Sequence, residues 1–265
     1  MKSQSIPMSI DEFHVMPHKL GWKYEYWEGQ AYISPRMSSV VTTVVPVEPR
    51  PVPACCLCRP TEEDDISLLR PAYFAAFVEA VDYCDYPPEH VAQAAERNLI
   101  TFFAGDRGTP LPASHLAFDP QSPQSTAIGA ALIVEKNDGI PMIDLLYVVP
   151  EWQNRGVATA LVSSAMNALH VVGYTTLKSR YLLSNEQSRN WHLRFGFVEE
   201  MNHFVLNNYY QDALYEWRRH KELGDLPAEE LAHLETARNE WKARLVEAQE
   251  KERQEGFEIV LFDSE

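Results

Sequence analysis

Residues Val148-Val149-Pro150-Glu151-Trp152-Gln153-Asn154-Arg155-Gly156-Val157-Ala158 follow the apolar run Ile143-Asp144-Leu145-Leu146-Tyr147. The pattern reads as a strand that runs into a tight loop. A helix starts directly after it, with Val157, Leu161, Val162, Met166, Leu169 and Val172 at helical spacing. Such a junction aims several backbone N–H groups, and the positive end of a helix, at one point in space, which suits a pyrophosphate. Gly156 lets the backbone approach a ligand closely, and Ala158 keeps the first helical turn slim.

A second pattern lies downstream: Asn185-Glu186-Gln187-Ser188-Arg189-Asn190-Trp191-His192-Leu193-Arg194-Phe195-Gly196-Phe197. Gln-x-x-Gly-x-Ala followed by Asn-x-x-Ser, an aromatic pair and Gly-Phe resembles the two signatures of the GNAT superfamily of N-acyltransferases, over about residues 55 to 205. The resemblance implies an α/β (α+β) fold, a mixed twisted sheet flanked by helices. It implies acetyl-CoA as the acyl donor, held by Gln153, Asn154, Arg155, Gly156, Val157, Ala158 and Thr159. Asn185 and Ser188 fall at family positions near the pantetheine. The main-chain N–H of Val148, where the strand splays from its neighbour, falls at the oxyanion position.

Transfer from a thioester to an amine needs no covalent enzyme intermediate if the amine is aligned for direct attack. It does need a base for the amine and an acid for the leaving thiolate. The family usually has a Tyr at the second place of the aromatic pair before Gly-Phe. His192 stands there instead, a candidate acid of shorter reach; the alternative is a ring that only packs. Asp144, four residues before Val148, shares its strand face on strict alternation and is the first candidate base. Glu135, Tyr147 and an ordered water chain are its rivals. Tyr83, Asp85 and Tyr86 lie in the loop of the helix pair where the family places acceptor contacts.

The 265 residues carry 38 Asp and Glu against 23 Lys and Arg, a net charge of -15. That field repels phosphate backbones, so nucleic acid is not an expected partner. It also means that the loop must hold an anionic donor locally. Hydrophobic residues at 45% fit a globular core, and no apolar run of about 18 residues suggests a membrane span. The N-terminus reads as polar and not as an export signal, so a cytoplasmic location is expected. Cys55, Cys56, Cys58 and Cys84 lack the second pair that a zinc set needs; no metal is expected, and the thiols read as structural. Cys55 and Cys56, as adjacent strand residues, point to opposite faces.

Three zones follow along the chain. Residues 1–52 form an extension in which Gly21 to Ile33 reads as an aromatic hairpin about Glu28-Gly29, weakly resembling the start of Uma2-like domains. The Pro-dotted stretch Val45 to Pro53 links it onward. Residues 53–209 form the acyltransferase domain. Here Thr61 with Asp64 caps a helix that Pro71 breaks or kinks, and a last strand lies near His203 to Leu206. Residues 210–265 are charged helices divided by Gly224 and Pro227, then a final strand Phe257 to Phe262. Leu231, Leu234, Trp241, Leu245 and Ala248 make a stripe, interrupted by Arg238, for packing on the chain's own core or on a second copy in a homodimer.

The expected activity is acetyl transfer from acetyl-CoA to a primary amine on a small molecule or protein acceptor. Two other readings stay open: a non-catalytic acyl-CoA sensor whose added segments bind a partner, and an aminoacyl-tRNA-acetylating toxin, which the acidity disfavours.

Overall fold

Turn chemistry and capping place most of the elements. The computed structural model describes residues 3–122 and 126–255. The chain opens with β1 (Gln4–Pro7) and α1 (Ile10–Val15). A capping box starts α1, Ser9 accepting from the Glu12 N–H while Glu12 accepts from the Ser9 N–H. The expected hairpin follows as β2 (Trp22–Trp27) and β3 (Gln30–Pro35), joined through Glu28 and Gly29, both at positive φ. Then come β4 (Val40–Pro46), β5 (Leu57–Pro60), α2 (Ile66–Phe77), α3 (Pro88–Phe103), β6 (Thr109–Pro110), β7 (His115–Phe118), β8 (Gly129–Glu135) and β9 (Pro141–Val148). The chain continues through α4 (Val157–Val171), β10 (Thr176–Leu182), α5 (Glu186–Phe195), β11 (Val198–Glu199), α6 (His203–Leu223) and α7 (Ala228–Gln254).

Two compact bodies result. One holds residues 42–181 and 187–199; the other holds 3–41, 182–186 and 200–255. The first is built on a sheet ordered β11-β4-β10-β9-β8-β7-β5, with β6 paired to β8. The sheet is mixed: β10 runs parallel to β9, whereas β5, β7, β8 and β9 pair antiparallel in turn. On one face Val157, Leu161 and Met166 of α4 and Phe195 of α5 pack against Ala131, Ile133 and Ile143. On the other, Leu69 and Tyr73 of α2 with Val91 and Leu99 of α3 pack against Leu116, Leu132 and Tyr147. The fold is the expected mixed sheet between helices.

Several local expectations are overturned. Residues 203–206 start α6 instead of forming a strand, because Asn202 caps a helix there by accepting from the Val205 N–H. A further strand does enter the sheet, but it is β4, from the expected extension, between β10 and β11. Pro71 sits inside α2 without ending it. The helix is preceded not by Thr61 with Asp64 but by Asp65, which accepts from the Glu62 N–H and takes a two-point bond from Arg59. The 45–53 stretch is pinned, since Arg50 and Asn167 exchange two hydrogen bonds through the Arg50 main chain.

In the second body β1, β3 and β2 form a three-stranded sheet. Helices α6 and α7 pack together through Leu206, Tyr210, Leu214 and Leu245, with Trp241 stacked on Tyr209. The seam of α7 is thus met by the chain's own α6. Gly224, at φ 60, ends α6 in the left-handed turn that glycine favours. The strand expected at 257–262 lies outside the described residues.

Candidate active site

The junction between β9 and α4 has the expected form. β9 ends at Val148, a 3-10 turn spans Pro150–Trp152, and α4 opens at Val157 after Gly156. Gly156 sits at φ 87 and Asn154 at φ 58, so two left-handed residues fold the loop back on itself. A Cβ on Gly156 would meet only Cys55 Sγ, at 3.5 Å. The first-turn N–H groups of Val157, Ala158 and Thr159 have no carbonyl within α4 to donate to. No other acceptor takes them among the described residues. Asn154, Arg155 and Gly156 are exposed. The Gln153 side chain does not point outward; its Nε2 donates to the Val148 carbonyl at 3.1 Å and ties the loop to the strand end.

Beside this junction the sheet opens. β9 and β10 pair at Met142 and Lys178, near the start of β9. Among the described residues the two parallel strands share no further register pair toward α4 and α5. The Val149 N–H donates to Ile128 at 2.9 Å. By strand alternation the Val148 N–H therefore turns away from β8, toward the gap on the β10 side.

Asp144 is not on the face of Val148. The register between β8 and β9 slips between Leu132 and Ile133: Leu132 faces Leu145 and Ile133 faces Ile143, so Asp144 is the extra residue of a β-bulge. The bulge breaks the alternation on which its assignment as base rested. Its side chain, 2% exposed, takes a hydrogen bond from Arg107 Nε at 2.5 Å and lies 3.9 Å from Lys136 Nζ. Arg107 also reaches Asn98 Oδ1 at 3.1 Å, and Asn98 Nδ2 donates to the Tyr73 hydroxyl, which in turn bonds that of Tyr83. Asp144 is thus the end of a structural network under α2 and α3. Glu135 pairs with Pro141, at the opposite end of β9 from the loop, and accepts from the Tyr174 hydroxyl. Tyr147 is buried and donates to the Leu69 carbonyl at 3.3 Å. Its burial, with Tyr73 nearby, pushes its pKa up.

His192 is 2% exposed. Its Nδ1 lies 2.8 Å from the Ser188 carbonyl, which can only accept, so Nδ1 carries the proton. Nε2 then accepts from the Ser179 hydroxyl at 2.8 Å. Burial lowers its pKa to about 4, against the opposing pull of the Ser188 carbonyl. Both nitrogens are thus occupied inside the chain, and the ring is neutral near pH 7. Trp191 donates from Nε1 to Thr159 Oγ1 at 3.2 Å, tying α5 to the first turn of α4. Ser188, half-buried, begins α5 with its carbonyl spent on His192. Asn185 precedes α5, its N–H donating to Leu182 at 2.7 Å. Tyr86 is exposed and stacks on His90.

Sequence reasoning missed the clamps. Arg50 donates to the Phe195 carbonyl at 2.6 Å and lies over its ring, and Arg107 holds Asp144 from 37 residues upstream. Neither carries a local signal. Cys55 and Cys56 are in a turn before β5, not on a strand, and their sulfurs lie 3.8 Å apart. Among the described residues no group of three or more His, Cys, Asp or Glu is arranged for a metal. No described helix is long and apolar enough to cross a membrane.

Residues 76–197 match the model of the acetyltransferase (GNAT) family. No curated protein matches the chain significantly. Among solved structures, a GCN5-related N-acetyltransferase from Sphaerobacter thermophilus is 19% identical, with a TM-score of 0.47 over 61% of this chain and 48% of that one. One from Ralstonia eutropha is 17% identical, with a TM-score of 0.40 over 56% of this chain and 95% of that one. An aminoglycoside N-acetyltransferase in complex with CoA is likewise 17% identical, with a TM-score of 0.40 over 58% and 94%. The chain spans about half the length of the first of these. The family match spans the β9–α4 junction and α5.

Proposed function

We propose that the chain is an acyl-CoA-dependent N-acetyltransferase that moves acetyl from acetyl-CoA to a primary amine by direct attack. The carrying observation is the set of undonated N–H groups at Val157, Ala158 and Thr159, behind a left-handed Gly156, beyond the register pair of β9 and β10. Those donors and the α4 dipole suit the pyrophosphate of the donor. Arg155, exposed on the same loop, adds the local positive charge that a chain of net charge -15 otherwise lacks. Asn185 and Ser188 are assigned to the pantetheine arm.

In the reaction the amine nitrogen forms a bond to the thioester carbon, and the C–S bond then breaks to release the CoA thiolate. The Val148 N–H is assigned to the developing oxyanion. With Asp144, Glu135 and His192 held in the chain's own bonds, water takes the amine proton and quenches the thiolate. The acceptor is an amine on a small molecule or a protein, handled in the cytoplasm. The domain limits 53–209 with flanking additions are our working division.

Calorimetric titration with acetyl-CoA tests the loop, and an amine screen by thiol release tests the transfer. Micromolar binding with unit stoichiometry, lost in Gly156→Glu, supports the assignment. Unchanged affinity in a folded Gly156→Glu variant overturns it. Tight binding with no turnover on any amine favours the acyl-CoA sensor instead.

A further inference from the structure

The second body contains a cavity of about 150 Å³, lined by residues from the loop before β2, the end of β3 and one face of α6. That is on the order of five water volumes, the size of a small metabolite. Its wall is rigid. The His18 ring is stacked between Tyr24 and Tyr215, with centroids 3.7 and 3.2 Å away and both pairs within 10° of parallel. The Tyr215 hydroxyl lies within hydrogen-bond reach of the Phe13, His14 and Met16 carbonyls, and Arg219 donates to Val15 at 2.8 Å. Gly21, at φ 78, closes the back; a Cβ there would lie 2.4 Å from the Ser184 nitrogen.

His18 Nε2 is buried without a hydrogen-bond partner. Burial, then the Arg36 and Arg219 charges, lowers the His18 pKa to about 3, so the ring is neutral near pH 7. A buried neutral ring nitrogen without a partner carries a desolvation cost. Arg36 and Arg218 line the same cavity, and neither makes a side-chain hydrogen bond or ion pair among the described residues. In a chain with 15 surplus acidic residues, two arginines at one cavity are an unusual allocation. Asp212, three residues before Tyr215 on α6, brings a carboxylate to the same space.

We infer that this cavity binds a small zwitterion of the amino-acid class, its carboxylate on Arg36 and Arg218 and its ammonium toward Asp212. Guanidinium groups recognise a planar carboxylate through paired N–H donors. The stacked His18 and tyrosines supply a flat wall that needs no ordering on binding. The residues that form the site lie outside 76–197, so it is a second ligand site carried by the added segments.

The test is calorimetry of the full chain against the twenty amino acids, with inorganic phosphate as the comparison anion. The expected result is saturable binding of one or a few amino acids at unit stoichiometry. Arg36→Gln and Arg218→Gln each weaken it tenfold or more, and Gly156→Glu leaves it unchanged. Neither arginine has a partner to lose, so both variants keep the parent melting temperature, which a thermal scan checks. Absence of binding by every amino acid to folded protein overturns the inference. So does binding that both arginine variants retain. Phosphate binding as tightly as any amino acid, with the same arginine dependence, overturns it too, because the Asp212 end then has no role.

Discussion

Asp144 shows how one residue's surroundings reassign it. A carboxylate on the strand that feeds the loop reads as a base, but the bulge turns it under α3 and Arg107 with Lys136 neutralises it. Removing one partner of a buried pair typically costs about 3 to 5 kcal/mol, because the other charge is left stranded. Arg107→Met is therefore expected to lower the unfolding free energy by that order, measured in urea. Asp144→Asn is expected to lower stability while leaving the shape of the pH–rate profile unchanged; a lost alkaline or acidic limb would restore Asp144 as the base. At Gly156 the constraint is conformational. Gly156→Ala finds room beside Cys55, so its cost is that of a left-handed alanine, about 1 to 2 kcal/mol, with acetyl-CoA binding retained. Gly156→Glu is expected to keep the fold and to lose acetyl-CoA binding in the calorimetric titration.

At the scale of elements, spacing and turn residues were sufficient for the junction of β9 with α4 and for the hairpin of β2 and β3. The misses share a cause. His203 to Leu206 has strand-like composition, yet the Asn202 cap and the apolar face of α6 outweigh it. Arg238 looked like a flaw in the α7 seam. In the structure its guanidinium lies over the Trp217 ring at 4.1 Å, so the interruption is a cation–π contact with α6. Leu245, 7% exposed between the helices, is the buried anchor of that pair. Leu245→Ala is expected to cost about 2 to 5 kcal/mol, read as a lower melting temperature. Arg238→Ala is expected to cost no more than about 1 kcal/mol. A larger loss for Arg238 than for Leu245 would show that the pair is held by its rim and not by its core.

For the whole molecule, acid sensitivity is built into the histidines. His192 titrates near 4 when folded and near 6.5 when unfolded, so the unfolded chain binds the extra proton between those values. Stability is therefore full above about pH 6.5 and falls as the pH drops toward 4. The loss from His192 is about 3 kcal/mol at 1.36 kcal/mol per unit. His18, lowered to about 3, acts with the same sign. Melting temperatures from pH 7 to 4 should fall steeply in the parent and less steeply in His192→Phe, and parallel curves would remove His192 as the cause. The sequence by itself determined the strand–loop–helix junction, the α/β class and the hairpin, because these rest on residues close together in the chain whose spacing fixes their local geometry. It also determined the acid excess of the chain. Only the tertiary structure decided that β4 enters the core sheet between β10 and β11, that Asp144 and His192 are spent on structure, and that His18, Arg36 and Arg218 meet at one cavity. Those outcomes depend on strand register and on partners tens to hundreds of residues away, which no local pattern encodes.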